Sequence, residues 1–227
     1  MLGRRTLLAA FIFMLSRTAI AITIGATDTF TGSLDNWQKG QVNAAYLSVA
    51  AGGGPGGAGD SYMQSVADGG GSFGRLTVFN GSQWNSNYVA DGITAIRLDL
   101  LNSGTVPLQI RLGLRNSGGV GYISSTAYTL GVGGGWQTAD LSLSEAALTA
   151  VGTPGDYTTF LAGGFALRLL HATSTSNLNG DVVSSTLGVD NVTAVPEPAA
   201  GALACLGGLV VVAARWRRVR SHRSCRR

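Results

Sequence analysis

Between Ile93 and Arg115 apolar and polar side chains alternate with a period of two, and no helix can present such a pattern as one buried face. Ile96, Leu98 and Leu100 alternate with Arg97 and Asp99. After Asn102-Ser103-Gly104, the residues Val106, Leu108, Ile110, Leu112 and Leu114 alternate with Gln109, Arg111 and Arg115. Successive strand side chains point to opposite faces, so each run buries one face and wets the other. An Asn/Gly turn between two such runs predicts an antiparallel hairpin. Further strands are expected at Arg75–Phe79, Tyr122–Leu130, Trp136–Leu143, Phe165–His171 and Thr186–Ala194. One short helical turn is expected, opened by a capping box of Ser142 and Glu145 and running to Ala150. Glycine clusters at 52–59, 69–71 and 131–135 separate these segments. Many short strands, glycine-rich turns and almost no helix predict an all-β fold, an antiparallel β-sandwich of the jelly-roll kind.

The two ends of the chain are built differently. Arg4 and Arg5 precede an apolar run from Leu7 to Leu15, and Ala19-Ile20-Ala21 supplies the small residues a signal peptidase accepts. That is the layout of a secretory signal peptide over residues 1–21, with cleavage after Ala21, since the run is shorter than the ~20 residues needed to span a bilayer. Arg4-Arg5-Thr6-Leu7-Leu8 also resembles a twin-arginine export signal. Nothing downstream matches a cytoplasmic cofactor site, which favours the general secretory route. At the other end, Pro196-Glu197-Pro198 precedes an apolar segment from Ala199 to Ala214. Arg215, Arg217, Arg218, Arg220, Arg223, Arg226 and Arg227 follow. Prolines lack an N–H and restrict their predecessors, so Val195–Pro198 is expected to be extended and open to a protease, continuing neither a helix nor a central strand. Sixteen helical residues rise about 24 Å, slightly short of a ~30 Å hydrocarbon core, and Trp216 and the arginine stems extend that reach. The arginines orient the tail to the cytoplasm and leave residues 22–195 outside.

This order resembles the PEP-CTERM sorting signal over residues 196–227. The resemblance implies an exosortase as processing partner, transient anchoring in the inner membrane, and release to a cell surface or extracellular matrix rich in exopolysaccharide. A permanent single-span anchor is the alternative.

Ten of the 16 basic residues lie in the two ends. Residues 22–195 hold six basic side chains against eleven acidic ones, a net charge of −5. The basic isoelectric point therefore describes the sorting signals and argues for no nucleic-acid partner. Both cysteines, Cys205 and Cys225, also lie in the tail. The middle segment has no thiol and must be held by packing alone.

The order of landmarks within residues 26–194 resembles the laminin-B-like and galactose-binding-like jelly rolls of exported proteins. Asp28-Thr29-Phe30 with Trp37 is similar to their opening, and Leu187-Gly188-Val189-Asp190-Asn191-Val192 to their closing strand. In related carbohydrate-binding modules a structural Ca²⁺ joins these two segments, which implies Asp28 and Asp190 as its side-chain ligands with backbone carbonyls completing an oxygen shell. The alternative is that Asp190-Asn191 caps a turn and Asp28 is solvated.

Catalytic motifs are weak. Gly70-Gly71-Ser72-Phe73-Gly74 has the spacing of a nucleophile elbow, but a glycine run precedes it and a strand is expected after it. Gly52, Gly54 and Gly57 have dinucleotide-binding spacing, contradicted by Pro55 and the missing βαβ unit. His171 is the sole histidine of residues 22–195 and closes an apolar strand. Asp60, Asp68, Asp91, Asp99, Asp140, Glu145 and Asp156 would have to pair in space to hydrolyse a glycoside. Binding fits the composition better. Trp37, Tyr46, Tyr62, Trp84, Tyr88, Tyr122, Tyr128 and Trp136 exceed what one core needs, and aromatic faces stack on sugar rings. Trp84, Asn85, Asn87 and Tyr88 share a polar loop and form the candidate glycan site, the alternative being that they staple that loop to the sandwich. Trp136 is expected in the core. The expected function is non-catalytic glycan or exopolysaccharide binding, followed by a structural matrix protein without a specific ligand, and then a glycoside hydrolase.

Overall fold

The computed structural model describes residues 22–40 and 43–196. Ala21 and the leader, and Glu197, Pro198, Arg215, Arg217 and Arg218 with the apolar segment 199–214, lie outside the described residues. Among the described residues no helix is long and apolar enough to cross a membrane.

The described chain is an all-β antiparallel sandwich of two six-stranded sheets. Its strands are β1 (Thr27–Asp28), β2 (Leu47–Ala50), β3 (Tyr62–Asp68), β4 (Thr77–Asn80), β5 (Ile93–Asn102) and β6 (Leu108–Asn116). They continue with β7 (Gly121–Ser124), β8 (Tyr128–Leu130), β9 (Gln137–Ser142), β10 (Leu148–Val151), β11 (Phe165–His171) and β12 (Ser184–Pro196). The first sheet has the order β2-β3-β12-β5-β9, with β1 on β12. The second has the order β10-β7-β6-β11-β4, with β8 on β6. Between the sheets lie the inward residues of every long strand, including Leu98, Leu100, Ile110, Leu112, Leu114, Leu167 and Val189, all fully buried.

The alternating run at Ile93–Arg115 forms two strands, as its period requires, but they are not a hairpin. β5 pairs with β12 and β9 in the first sheet, whereas β6 pairs with β11, β7 and β8 in the second. The connection is an arch between sheets, held by the side chain of Asn102. Its Nδ2 donates to the carbonyls of Val106 (2.8 Å) and Leu130 (3.2 Å), and its Oδ1 accepts from Gly104 N (3.0 Å). Gly104 is required there, because a Cβ would lie 1.9 Å from Ser185 Oγ.

The expected wet face of β6 is covered as well. Leu178, from the segment after β11, packs on Leu170 and Ile123. Arg111 is buried beneath this segment, donating to the carbonyls of Ala172, Ser124 and Ser125.

Three local expectations are corrected. Ser142 and Glu145 form no capping box: Glu145–Ala147 is a single 3₁₀ turn without a side-chain cap, and β10 starts at Leu148. The α-helix of the described region is α1 (Tyr157–Leu161), capped by Asp156, whose carboxylate accepts from Thr159 N at 2.7 Å. Tyr122–Leu130 is broken into β7 and β8. β12 reaches Pro196, paired with Ile93 after a shift in register, because a proline at the last position removes no needed ladder bond.

Candidate functional site

Trp84, Asn85, Asn87 and Tyr88 offer no sugar platform. Trp84 and Tyr88 are both 0% exposed. The Trp84 indole N–H donates to Asp28 Oδ2 at 2.7 Å, and Tyr88 OH donates to Trp84 O at 2.8 Å. Asn85 Oδ1 accepts from Gly164 N and Phe165 N, and Asn87 Oδ1 accepts from Ala90 N. Their polar neighbours are spent on the backbone, so the loop is stapled to the sandwich and no aromatic face is left to stack on a sugar.

Asp28 is buried rather than solvated. Both the Trp37 and Trp84 indole N–H groups donate to its Oδ2 at 2.7 Å, and Gln83 Nε2 donates to Oδ1 at 2.5 Å. Burial raises its pKa, opposed by these donors. Three N–H donors thus occupy most of the lone pairs of this carboxylate and hold it in place without a cation. Asp28 points inward to the buried Trp37 and Trp84 indoles, whereas Asp190 lies opposite Asp99, out of step with the inward Leu187 and Val189. The structure thus does not join Asp28 and Asp190 as one set of ligands, and among the described residues no group of three or more acidic, histidine or cysteine side chains has metal-binding geometry.

Asp190 instead belongs to the outer face of the first sheet. It lies opposite Asp99 of β5, and Asp99 lies opposite Thr138 of β9. Thr138 Oγ1 donates to Asp99 Oδ1 at 2.5 Å and Asn191 Nδ2 donates to Oδ2 at 2.9 Å. Asn191 reaches across because β12 breaks register there, at a φ of 50°. Asp190 is 1% exposed; its Oδ1 accepts from Asn191 N and its Oδ2 has no partner. Burial, with Asp60 and Asp99 adding repulsion, pushes its pKa up to about 6.

One row along the same face, Gly188 lies between Gln64 and Leu101. Across it Tyr62 and Trp136 meet edge to face, with ring centroids 5.0 Å apart and planes at 80°. A Cβ at Gly188 would lie 3.0 Å from Trp136 Cη2 and 3.1 Å from Tyr62 Cε2, so glycine lets the rings lie down on the sheet. The Trp136 N–H donates to Gly53 O at 2.9 Å, tying the ring to the 52–59 turn. Trp136 is partly exposed. It is therefore not core, as its phase could have told: it alternates in step with Thr138 and Asp140, while Ala139 and Leu141 point inward. Tyr62 was equally legible, in step with Gln64 and opposed to buried Met63 and Ser65.

The remaining polar candidates serve the fold. Ser72 sits in the 3₁₀ turn Gly71–Phe73, with no strand-to-helix elbow. His171 is buried, and its Nδ1 accepts from Gln109 N at 2.9 Å; burial lowers its pKa and keeps it neutral. Asp60 accepts from Gly56 N, Asp68 from Gly70 N and Tyr46 OH, and Asp140 pairs with Arg97.

No family model matches the sequence, and no curated protein does. Solved structures do resemble the fold. An exo-β-agarase aligns with TM-score 0.51 and 13% identity over 78% of this chain, which spans only 26% of the agarase chain. The family 11 carbohydrate-binding module from Clostridium thermocellum, in complex with a β-1,3-1,4-mixed-linked tetrasaccharide, aligns with TM-score 0.47 and 14% identity, covering 77% of this chain and 98% of the module. The N-terminal cellulose-binding domain of Cellulomonas fimi β-1,4-glucanase C aligns with TM-score 0.34 and 13% identity over 71% of this chain and 95% of that domain. At these identities the likeness is one of fold alone, a two-sheet antiparallel sandwich.

Proposed function

We propose that this chain is an exported surface or matrix protein whose sandwich binds glycan through the outer face of the first sheet, without cleaving it. The observation that carries this reading is the Tyr62–Trp136 pair laid over Gly188. A fixed, partly exposed indole is an apolar plate for a sugar ring, and Gln64 and Thr138 on the same face supply amide and hydroxyl groups for sugar hydroxyls. The Asp99–Asp190 pair is the one arrangement that favours hydrolysis, since opposed carboxylates with one raised pKa are what acid–base cleavage uses. Asp190 is sealed from solvent and Asp99 is held by Thr138 and Asn191, so neither reaches a substrate.

The test is affinity electrophoresis of the full-length protein in gels containing neutral galactan, β-glucan or cellulose derivatives. Trp136→Ala is expected to weaken retention at least about tenfold, as truncation of a central aromatic anchor does. Retention unchanged by Trp136→Ala, in a variant that melts like the parent, overturns the assignment.

Delivery is part of the same proposal. Signal peptidase removes residues 1–21, the tail holds the protein briefly in the inner membrane, and an exosortase cuts at Pro196-Glu197-Pro198. The intact mass of the product from a host carrying an exosortase is then expected to begin at Ile22 and to lack the arginines from Arg215 onward. A product retaining either segment sinks the delivery scheme.

A further inference from the structure

A pocket lies on the other side of the sandwich, on the outer face of the second sheet where β4 meets β11. Its volume is about 470 Å³, within the range of small-ligand sites. Lys39, Arg75 and Arg168 all line it, together with Thr77, Phe79 and Asn179. These three are half of the cations in residues 22–195, a segment that is otherwise acidic. No carboxylate lines the pocket among its described residues, and the ion pair found among the described residues, Arg97 with Asp140, lies on the first sheet.

Each cation is held in place by neutral groups. Lys39 Nζ donates to Arg75 O at 2.8 Å and Ser65 Oγ at 3.2 Å. Arg75 Nη1 donates to Gly180 O. Arg168 Nη1 donates to Leu178 O at 3.0 Å, and its guanidinium stands 5.1 Å from the centre of the Phe79 ring. Arg168 Nε is buried with no hydrogen-bond partner. Carbonyl and hydroxyl acceptors fix the direction of a cation without carrying a full charge, and the carboxylates that attract Lys39 and Arg75, Asp68 and Asp181, lie outside the pocket's lining. The cost is visible in two of them: burial pulls Lys39 down to about 8 and Arg168 down to about 10, with Arg115 adding repulsion to the latter. An anion entering the pocket would relieve that cost, and a planar guanidinium fork suits a carboxylate or sulfate.

We infer that this pocket binds the acidic group of a charged glycan, a uronate carboxylate or a sulfate ester, and so makes the protein selective for anionic over neutral polysaccharide. The choice of polymer rests on the glycan reading above, but the residues are different and lie on the opposite sheet. The two proposals therefore fail separately.

The experiment is calorimetric titration of the full-length protein, at low salt, with four probes: oligogalacturonate, a sulfated galactan oligomer, a neutral galactan oligomer and sodium sulfate. The acidic oligomers are expected to bind at least tenfold more tightly than the neutral one, and to weaken as salt rises. Arg75→Gln, at an exposed position, and Arg168→Gln are each expected to weaken the acidic oligomers about tenfold, the worth of one charge-assisted hydrogen bond. They leave neutral binding unchanged, whereas Trp136→Ala weakens the neutral oligomer. Comparison of the two acidic oligomers identifies the uronate or the sulfate ester. The inference is overturned if acidic and neutral oligomers bind alike, if both arginine variants bind acidic oligomers like the parent, or if sodium sulfate alone binds as tightly as the sulfated oligomer, which would make the ligand a free anion.

Discussion

At the scale of single residues, Asp28 is fixed by three donors. Two indole N–H groups share one of its carboxylate oxygens at 2.7 Å, and those indoles, Trp37 and Trp84, are tilted against each other with centroids 6.3 Å apart. Each partner needs the others: without the carboxylate two buried N–H groups lose their acceptor, and without the indoles a buried charge loses its donors. Trp84→Ala is therefore a stability mutation. It is expected to cost about 3–5 kcal/mol by cavity formation, read as the midpoint of chemical denaturation of the full-length protein. A cost within 1 kcal/mol of zero would contradict the burial on which this account of the loop rests. Gly188 is the counterpart on the surface, the place where absence of a side chain makes room for Tyr62 and Trp136.

At the scale of elements, period-two alternation located the long strands because it is a property of one strand and its two faces. β11 falls at Phe165–His171, where Leu167 and Leu169 are buried and Arg168 turns outward. Pairing is a property of two strands, and alternation is the same whether the next strand is a hairpin partner or lies across an arch. What separates those outcomes here is a buried asparagine amide reaching from β5 to carbonyls on the far side, a contact with no periodic signature. Short strands such as β1 and β10 carry too few residues to show a period, and they exist only because β12 and β7 offer edges. The aromatic site failed for a different reason. A tryptophan among asparagines reads as exposed, yet those amides cap backbone groups and bury Trp84. A tryptophan opening an apolar strand reads as core, although its phase with Thr138 and Asp140 places Trp136 outside. The pocket cations Lys39, Arg75 and Arg168 are 36 or more residues apart along the chain and meet only through the sandwich.

At the scale of the whole molecule, the buried titrating groups set how stability follows pH. Asp190 has a folded pKa of about 6 against an ordinary value of 3.8, so the folded chain holds an extra proton between those values. Its contribution is fully present below about 3.8 and is lost as pH rises through about 6. Lys39, held at about 8 instead of 10.5, has the opposite slope: folding is relieved as pH rises through about 8. Asp156 and Asp181, held below the usual range by hydrogen-bond donors, oppose the Asp190 effect only in more acidic solution. Asp190→Asn is expected to raise the melting temperature at pH 7 by a few degrees and to flatten its dependence between pH 4 and 6, measured by scanning calorimetry. Superimposable parent and variant profiles would show that Asp190 is not the group responsible. The arrangement of the sheets sets a limit of another sort. β12, 13 residues long, is the sole link between the β2–β3 half of the first sheet and the β5–β9 half, and it also carries β1. A chain made or moved from its N-terminus has no complete first sheet until residues 184–196 emerge. Up to that moment the β2–β3 and β5–β9 halves of that sheet have no strand to join them.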